Sequence, residues 1–600
     1  MTSPHNFHIP VMGVAYTIDT PLKVAPFGID SVISLVDNVL LEKLRAKYSE
    51  KFNLPYKEIS QKAEDYMSKR VTAYLDMINR LTTEKFESLK NNFEDKKTEI
   101  FDYFEMLPDT SELKKEFKKR MDSNFEELKN WVKNHLQMGS IDVNIMTKVD
   151  KTNYDKHGEA LPQEYNDAHA ALRGYANSSL ESSLVLSAGM SPRLYSYIEN
   201  FKDFYPDETG YIKKKIILKV SDYRSALIQG KFLAKKGLWV SEYRIESGLN
   251  CGGHAFATEG YLMGPILEEF KKNRAQLIED VHGILVKALE QKAKPVPQKP
   301  LPMRVTAQGG VGTHEEHQFL LDYYQVDSVG WGSPFLLVPE VTTVDKETMQ
   351  KLSKAEENDL YLSNISPLGV PFNSLRTASA TVKKIEKVQK GRAGSSCPKA
   401  YLVSNTEYTD KPICTASRQY QYLKLKELDE KNLPETLHKK EFDKITAPEC
   451  LCVGLSEPAI ITHQIDYKIK DNGVTVCPGP NMAYFDKIVS LKDMVGHIYG
   501  KVNLLRKSYR PHMFVKELNL YINYLKNEVE ELKAPIDNKK AKYLKKFTEN
   551  LHTGINYYQN LFSETKAYWT KSKKNILKDI HQSKEKMAIL SEKIQKLPVK

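Results

Sequence analysis

Two glycine-rich segments late in the first half of the chain, AQGGVGT at 307–313 and GWGSPF at 330–335, have the make-up of an anion grip. Gly309, Gly310 and Gly312 carry no Cβ, so the backbone there can approach a ligand closely. Thr313 followed by Glu316 is a capping-box spacing, which predicts a helix starting just after Thr313. The free N–H groups and dipole of that helix favour a phosphate beside Gly309 and Gly310, with Gln308 closing the preceding strand. Gly332 and Ser333, just after the apolar run SVGW, offer a second pair of donors. A third segment, SGLNCGGHAF at 247–256, sets His254 behind Gly252 and Gly253. An imidazole suits proton transfer near neutral pH, and the glycines would clear room for a flat ring. A histidine satisfied within a turn is the alternative.

Five of the six cysteines, Cys397, Cys414, Cys450, Cys452 and Cys477, fall within 81 residues, and the sixth is Cys251. Four thiolates can hold zinc or an iron–sulfur cluster. Cys397, Cys414, Cys452 and Cys477 are the expected ligands if a metal is bound. No C-x2-C pair occurs, and incidental buried thiols are the preferred reading. His314 and His317, three apart on one predicted helix, suit a metal edge or an exposed face, and the face is preferred. Glu242, Arg244 and Glu246 alternate along a predicted strand, either lining a mouth or forming an inner salt bridge.

The elements that would position these groups alternate between strand and helix. Strand patterns occur at 8–18, 30–37, 141–149, 182–189, 214–222, 237–246, 302–310 and 327–338, and most are followed by a helix-compatible stretch. Strands that are apolar throughout and alternate with helices imply a parallel sheet buried on both faces. Eight such units predict an α/β fold, a (β/α)8 TIM barrel, over residues 1–345. An open doubly wound sheet would prefer a glycine fingerprint after the first strand, and none is there. Residues 40–138 are charge-dense, poor in Gly and Pro, and apolar at helical spacing, which predicts a helical insertion. Residues 346–495 read as an irregular α+β region holding the clustered cysteines. Residues 496–600 read as amphipathic helices, a hairpin or coiled-coil-like domain.

The chain is 41% apolar and 28% charged, as in ordinary soluble proteins. No apolar run approaches the roughly 18 residues a membrane helix needs. With few cysteines and no leader-like start, a reducing cytoplasm is the expected location. Residues 501–600 hold 22 Lys/Arg against 10 Asp/Glu, so the net charge of +11 belongs to the tail. A basic tail can meet nucleic acid, an anionic membrane or an acidic partner, although a Lys-rich solvated helix face is the preferred reading. Its aromatic residues, Tyr521, Tyr524, Tyr543, Tyr557, Tyr558 and Tyr568, read as helix-packing core before a base-stacking platform.

In order, IPVMG, VNIM, ILKVSD, CGGH, AQGGVG and WGSPFLLVPE resemble the nitronate monooxygenase (2-nitropropane dioxygenase-like) family, which includes fatty acid synthase-associated enoyl reductases. The resemblance covers nearly all of residues 8–345 outside the insertion. It implies an FMN-dependent barrel with Met12 and Gly13 against the flavin and Asn144 and Lys219 bonding its ring or ribityl chain. Gly252 and Gly253 would make room for the cofactor, while Gly309, Gly310, Gly332 and Ser333 would hold the phosphate. His254 matches the family's active-site histidine, a base toward an acidic carbon. Cys251 stands where relatives commonly carry an acidic residue or Ala, and Ser333 replaces the usual Thr. The insertion and the last 250 residues have no counterpart in the simple monooxygenases. The expectation is an FMN-dependent oxidoreductase acting on a small or acyl-chain substrate, with a protein partner or a second copy able to bind through the C-terminal helices. An RNA-modifying flavoenzyme guided by the tail and a non-catalytic barrel scaffold are the alternatives.

Overall fold

The structure, a computed structural model, describes residues 3–600 except 123, 188, 255–258, 467–472, 533–534, 566–567 and 570–571. Residue 188 of the fourth predicted strand and residues 255–256 of the His254 segment therefore lie outside the described residues.

Eight parallel strands close into a barrel: β1 (Phe7–Ile9), β2 (Asp30–Ser34), β3 (Ile141–Met146), β4 (Ser183–Ser187), β5 (Lys215–Val220), β6 (Val240–Glu246), β7 (Arg304–Gln308) and β8 (Ser328–Gly330). Each pairs with the next, and β8 returns to β1 through Phe7 opposite Val329 and His8 opposite Gly330. Runs such as IDVNIM and KIILKV form these strands because both faces are covered, one by the barrel interior and one by the helices. The observed strands are shorter than the apolar patterns. β1 stops at Ile9 instead of running to Ile18, because Pro10 has no N–H for the ladder and Gly13 turns the chain at φ +54°.

Inside the barrel, Arg244 Nη2 lies 2.7 Å from Glu242 Oε1, and Thr306 Oγ1 donates to the same oxygen at 2.6 Å. Burial pushes Glu242 upward, but Arg244 and Arg304 outweigh it and bring the carboxyl down to about 2. The alternating trio of β6 thus divides: Glu242 and Arg244 form an inner salt bridge, and Glu246 reaches the mouth.

Between β2 and β3 run five helices, Asn38–Lys51, Tyr66–Asn91, Lys97–Met106, Glu112–Arg120 and Phe125–His135. The distal helices close their own apolar cluster, centred on Phe93, Phe104 and Phe117. The second helix lies close on Asp167–Asn177 at Gly174, where a Cβ would come within 2.6 Å of Val71.

Past the barrel, the antiparallel pair β9 (Leu360–Ser363) and β10 (Phe372–Leu375), with short helices and loops, covers the ends of the barrel strands. The tail forms helices Met513–Glu530, Asn538–Glu564 and Lys573–Gln595. Tyr521 and Tyr558 are buried, Tyr524, Tyr543 and Tyr557 pack at the edge of the core, and Tyr568 is exposed. The tail docks on the barrel helix Met263–Gln291: Glu517 accepts from Met263 N at 2.9 Å and Tyr558 Oη from Gly264 N at 3.1 Å. Lys542, Lys545 and Lys546 face water. Among the described residues no helix is long and apolar enough to cross a membrane.

Candidate functional site

A cavity opens at the C-terminal ends of the strands, the face on which barrel enzymes build their sites. Ser34, Asn144, Ser187, Lys219 and Glu246 reach it from β2 to β6 in turn. About 120 Å³ is open to the centres of water-sized molecules, within about 900 Å³ of atom-free space that includes open solvent. Val11, Val14, Val36, Met146 and Val149 make one wall apolar. Phe372, Tyr401, Leu402, Leu451, Cys452 and Leu455, all from beyond residue 345, form the cover.

Five of the expected ring-binding and catalytic residues, Gly13, Asn144, Lys219, Gly252 and His254, line this one cavity. Asn144 Oδ1 is buried without a hydrogen-bond partner, which is costly unless a ligand supplies a donor. Lys219 Nζ lies 2.7 Å from Glu246 Oε1. That oxygen also accepts from Gln308 Nε2 at 2.6 Å and from Asn250 Nδ2, so Gln308 orients the acid beneath the cavity and does not line it. Met12 is wholly buried in the core and does not line the cavity either.

His254 is fixed from above. Its Nε2 lies 2.7 Å from Ser366 Oγ, and its backbone bridges Phe372 of β10. Asn373 N donates to Gly253 O at 2.8 Å. Burial, helped by the charge of Lys148, lowers the imidazole to about 4, so the ring is neutral at pH 7. Gly252, at φ +146°, leaves room where a Cβ would project, in ordinary contact with Val11 O at 3.7 Å. Gly253 makes room for the protein instead: a Cβ there would meet the Phe372 ring at 2.3 Å.

The two glycine loops are adjacent, with Gln308 opposite Gly330, but the protein's own atoms fill the space between them. A Cβ at Gly310 would meet Leu249 at 2.5 Å, at Gly312 the Arg510 guanidinium at 2.7 Å, and at Gly332 Cys251 at 2.9 Å. Thr313 Oγ1 caps the helix His314–Asp322 through Glu316 N at 3.1 Å. The Glu316 carboxylate folds back to accept from Gly312 N at 2.9 Å, one residue earlier than a capping box requires. Ser333 Oγ accepts from Gly479 N at 3.1 Å. Gly309, Gly310, Gly332 and Ser333 do not line the cavity. Around these loops Gly312 N, the Ser333 oxygen and the Arg510 guanidinium already pair within the protein.

The four-thiol expectation is also corrected. Among the described residues no group of three or more His, Cys, Asp or Glu is placed to hold a metal ion. Cys414 hydrogen-bonds to Cys397 and thereby lowers it to about 7. Cys452 lines the cavity, and Cys477 packs elsewhere, its carbonyl accepting from Cys251 Sγ at 3.4 Å. His314 and His317 are not an exposed face either. His314 Nδ1 lies 3.0 Å from Ile498 O, while the wholly buried His317 accepts from Trp331 Nε1 at 3.1 Å and meets Asn6 at 3.0 Å.

The sequence reading missed the residues that hold the cover down. Asp37, at the end of the second strand pattern, caps helix Asn38–Lys51 through Leu40 N at 3.0 Å. It also accepts from Tyr401 Oη at 2.9 Å, Ser456 Oγ at 2.7 Å and Lys399 Nζ. Burial works against this carboxylate, but Lys399 and the other donors hold it below its usual value. An Asp before NVLLEKL is a readable cap, whereas its partners from beyond residue 398 leave no local sign.

No family model matches the chain, and no curated protein matches it. Three solved structures are similar at a TM-score of 0.34 each. The enoyl reductase domain of MlnA from the macrolactin cluster of Bacillus amyloliquefaciens is 14% identical, over 63% of this chain and 85% of its own. FabK from Thermotoga maritima is 11% identical, over 87% and 96%. Nitroalkane oxidase from Streptomyces ansochromogenes is 10% identical, over 82% and 94%.

Proposed function

We propose that the cavity is the active site of an oxidoreductase of the flavin-barrel kind, acting on a small apolar or acyl-chain substrate. One observation carries the reading: Gly13, Asn144, Lys219, Gly252 and His254, far apart in sequence, line a single cavity at the mouth of the barrel. A flavin ring is flat, apolar on its faces and polar along one edge, and it would supply two-electron oxidation or reduction. The apolar wall suits such faces, and the orphaned Asn144 Oδ1 suits a ring N–H. Lys219, paired with Glu246, offers a cation beside that edge. Gly252 leaves its side of the cavity clear.

His254 holds a proton-accepting imidazole at the cavity wall. Burial keeps it neutral, Ser366 orients Nε2, and Phe372 sets the ring against the apolar cover, which excludes water from the acidic carbon of a substrate. The apolar lining from Val14 and Leu402 to Leu455 fits a hydrocarbon portion better than a sugar or a nucleotide.

The test is the visible spectrum of the full-length protein, as purified and after addition of flavins, followed by anaerobic reduction with a nitroalkane and, separately, with a reduced nicotinamide dinucleotide, an enoyl thioester then being added as the acceptor that restores the bands. Flavin bands bleached by one donor are expected. A protein that shows no flavin bands and binds no flavin would sink the proposal. Replacing His254 with Gln should preserve binding and slow turnover, so loss of the flavin would show that the histidine has another role.

A further inference from the structure

The ring end of the cavity is open while the phosphate end is closed by the chain itself. Resting on the flavin reading above, we infer that this barrel takes a phosphate-free ring ligand, of the riboflavin or bare isoalloxazine class, and gains nothing from the phosphate of FMN.

The first support is that Arg510, the cation nearest the glycine loops, and Gly312 N are committed to partners within the protein. Arg510 gives Nη1 to Glu316 at 2.7 Å, Nη2 to the Gly310 carbonyl at 2.7 Å and Nε to Asn481 at 3.0 Å. Asn481 returns Nδ2 to the Val311 carbonyl at 2.7 Å. Gly312 N and Met513 N both end on the Glu316 carboxylate, and Ser333 Oγ accepts from Gly479 N. The cation and one loop N–H that a grip would present therefore already have partners, and Gly479 is seated against the Ser333 oxygen.

The second support is charge. A helix N-terminus attracts an anion through its free N–H groups and dipole. Here that anion is a side chain of the protein. Glu316 is 2% exposed, and Arg510 holds it ionised against the effect of burial. A phosphate dianion would have to displace this carboxylate or sit beside it, where like charges repel strongly because little water screens them.

The third support is that the filling segment is built in. Residues 473–479 are buried. Tyr16 Oη donates to Thr475 O at 2.7 Å, Thr475 N to Gly454 O at 3.0 Å, and Val474 N to Ser379 Oγ at 2.9 Å. Gly479 passes so close that a Cβ would lie 2.6 Å from Leu249 O and 2.7 Å from Ser333 Oγ. None of these residues closes the ring end, where Gly13, Asn144, Lys219 and Gly252 still face free volume.

The experiment is a titration of full-length, flavin-stripped protein with lumiflavin, riboflavin and FMN, read by flavin fluorescence and repeated with added salt and with inorganic phosphate as competitor. Each charge-assisted hydrogen bond to a phosphate is ordinarily worth about tenfold or more in affinity, so a working grip would favour FMN by well over tenfold. The expected result is that riboflavin and FMN bind within about threefold of one another. Salt should leave their ratio unchanged, and inorganic phosphate should displace neither. FMN binding more than tenfold tighter, or displacement by inorganic phosphate, overturns the inference and leaves the flavin reading standing. Failure to bind any of the three overturns both.

Discussion

Replacing Arg510 with Met keeps the aliphatic bulk but removes the charge that faces Glu316. The pair is 2.7 Å apart with side chains 7% and 2% exposed, so the carboxylate would be left buried with only two backbone N–H donors. Breaking a buried pair from one side costs about 3–5 kcal/mol. The sign of its pH dependence identifies the cause. In the native chain Glu316 sits below its usual pKa, so its contribution is present at neutral pH and disappears only as acid titrates it. Without Arg510, burial dominates and the pKa rises above the unfolded value. The penalty is then greatest near pH 8 and shrinks toward pH 5, by about 1.4 kcal/mol per pH unit across that window. His512, held at about 4 with Arg510 contributing, shifts in the same direction. Native-state hydrogen exchange of the 307–316 and 509–518 peptides, at both pH values, reads the local opening free energy directly. Adding Glu316→Gln to the variant should recover most of the loss at pH 8. An equal deficit at pH 5 and pH 8, or one below about 1 kcal/mol, would refute the charge argument.

Two other outcomes are expected. Gly253→Ala should destabilise the cover more than Gly252→Ala: both sites have positive φ, but only at 253 does the new methyl strike Phe372, at 2.3 Å against 3.7 Å for the nearest atom at 252. Equal losses in thermal unfolding would remove the steric explanation. Stability should also fall below pH 6.5, because burial holds folded His5, His254 and His512 at about 4 and His317 at about 3 while the unfolded imidazoles take up protons near 6.5. Asp30 and Glu517, at about 6 and about 7 when folded, work the other way. For these six groups the balance is a net uptake of about two protons on unfolding, or about 3 kcal/mol per pH unit around pH 5, and His8, also held well below its usual value by burial, adds in the same direction. A flat stability profile between pH 7 and pH 5 in urea unfolding would contradict it.

The barrel could be read from the sequence because each strand announces itself locally: IDVNIM and KIILKV need no knowledge of their neighbours to be apolar on both faces. Asn144 and Lys219 were named through the family resemblance and not through periodicity, and the barrel brings both to one cavity with His254. The phosphate end is not legible. Glycines at 309, 310 and 312 look the same in sequence whether the space beside them holds an anion or Leu249 and Arg510. What separates the two cases is contact between residues nearly 200 positions apart, with no periodic or compositional trace. Closeness in sequence also says little about the cysteines: Cys397 pairs with Cys414, while Cys477 packs beside Cys251, 226 positions away.

The Arg510 plug also has a consequence in time. Its partner Glu316 precedes it by 194 residues. At a synthesis rate of about 5–20 residues per second, a nascent barrel waits about 10–40 s for that guanidinium to emerge. During that interval Gly312 lacks its guanidinium neighbour and the carboxylate is unpaired. The eight strands can form in sequence order, but the helix that opens at His314 receives the cation that balances its buried carboxylate only when the last sixth of the chain arrives.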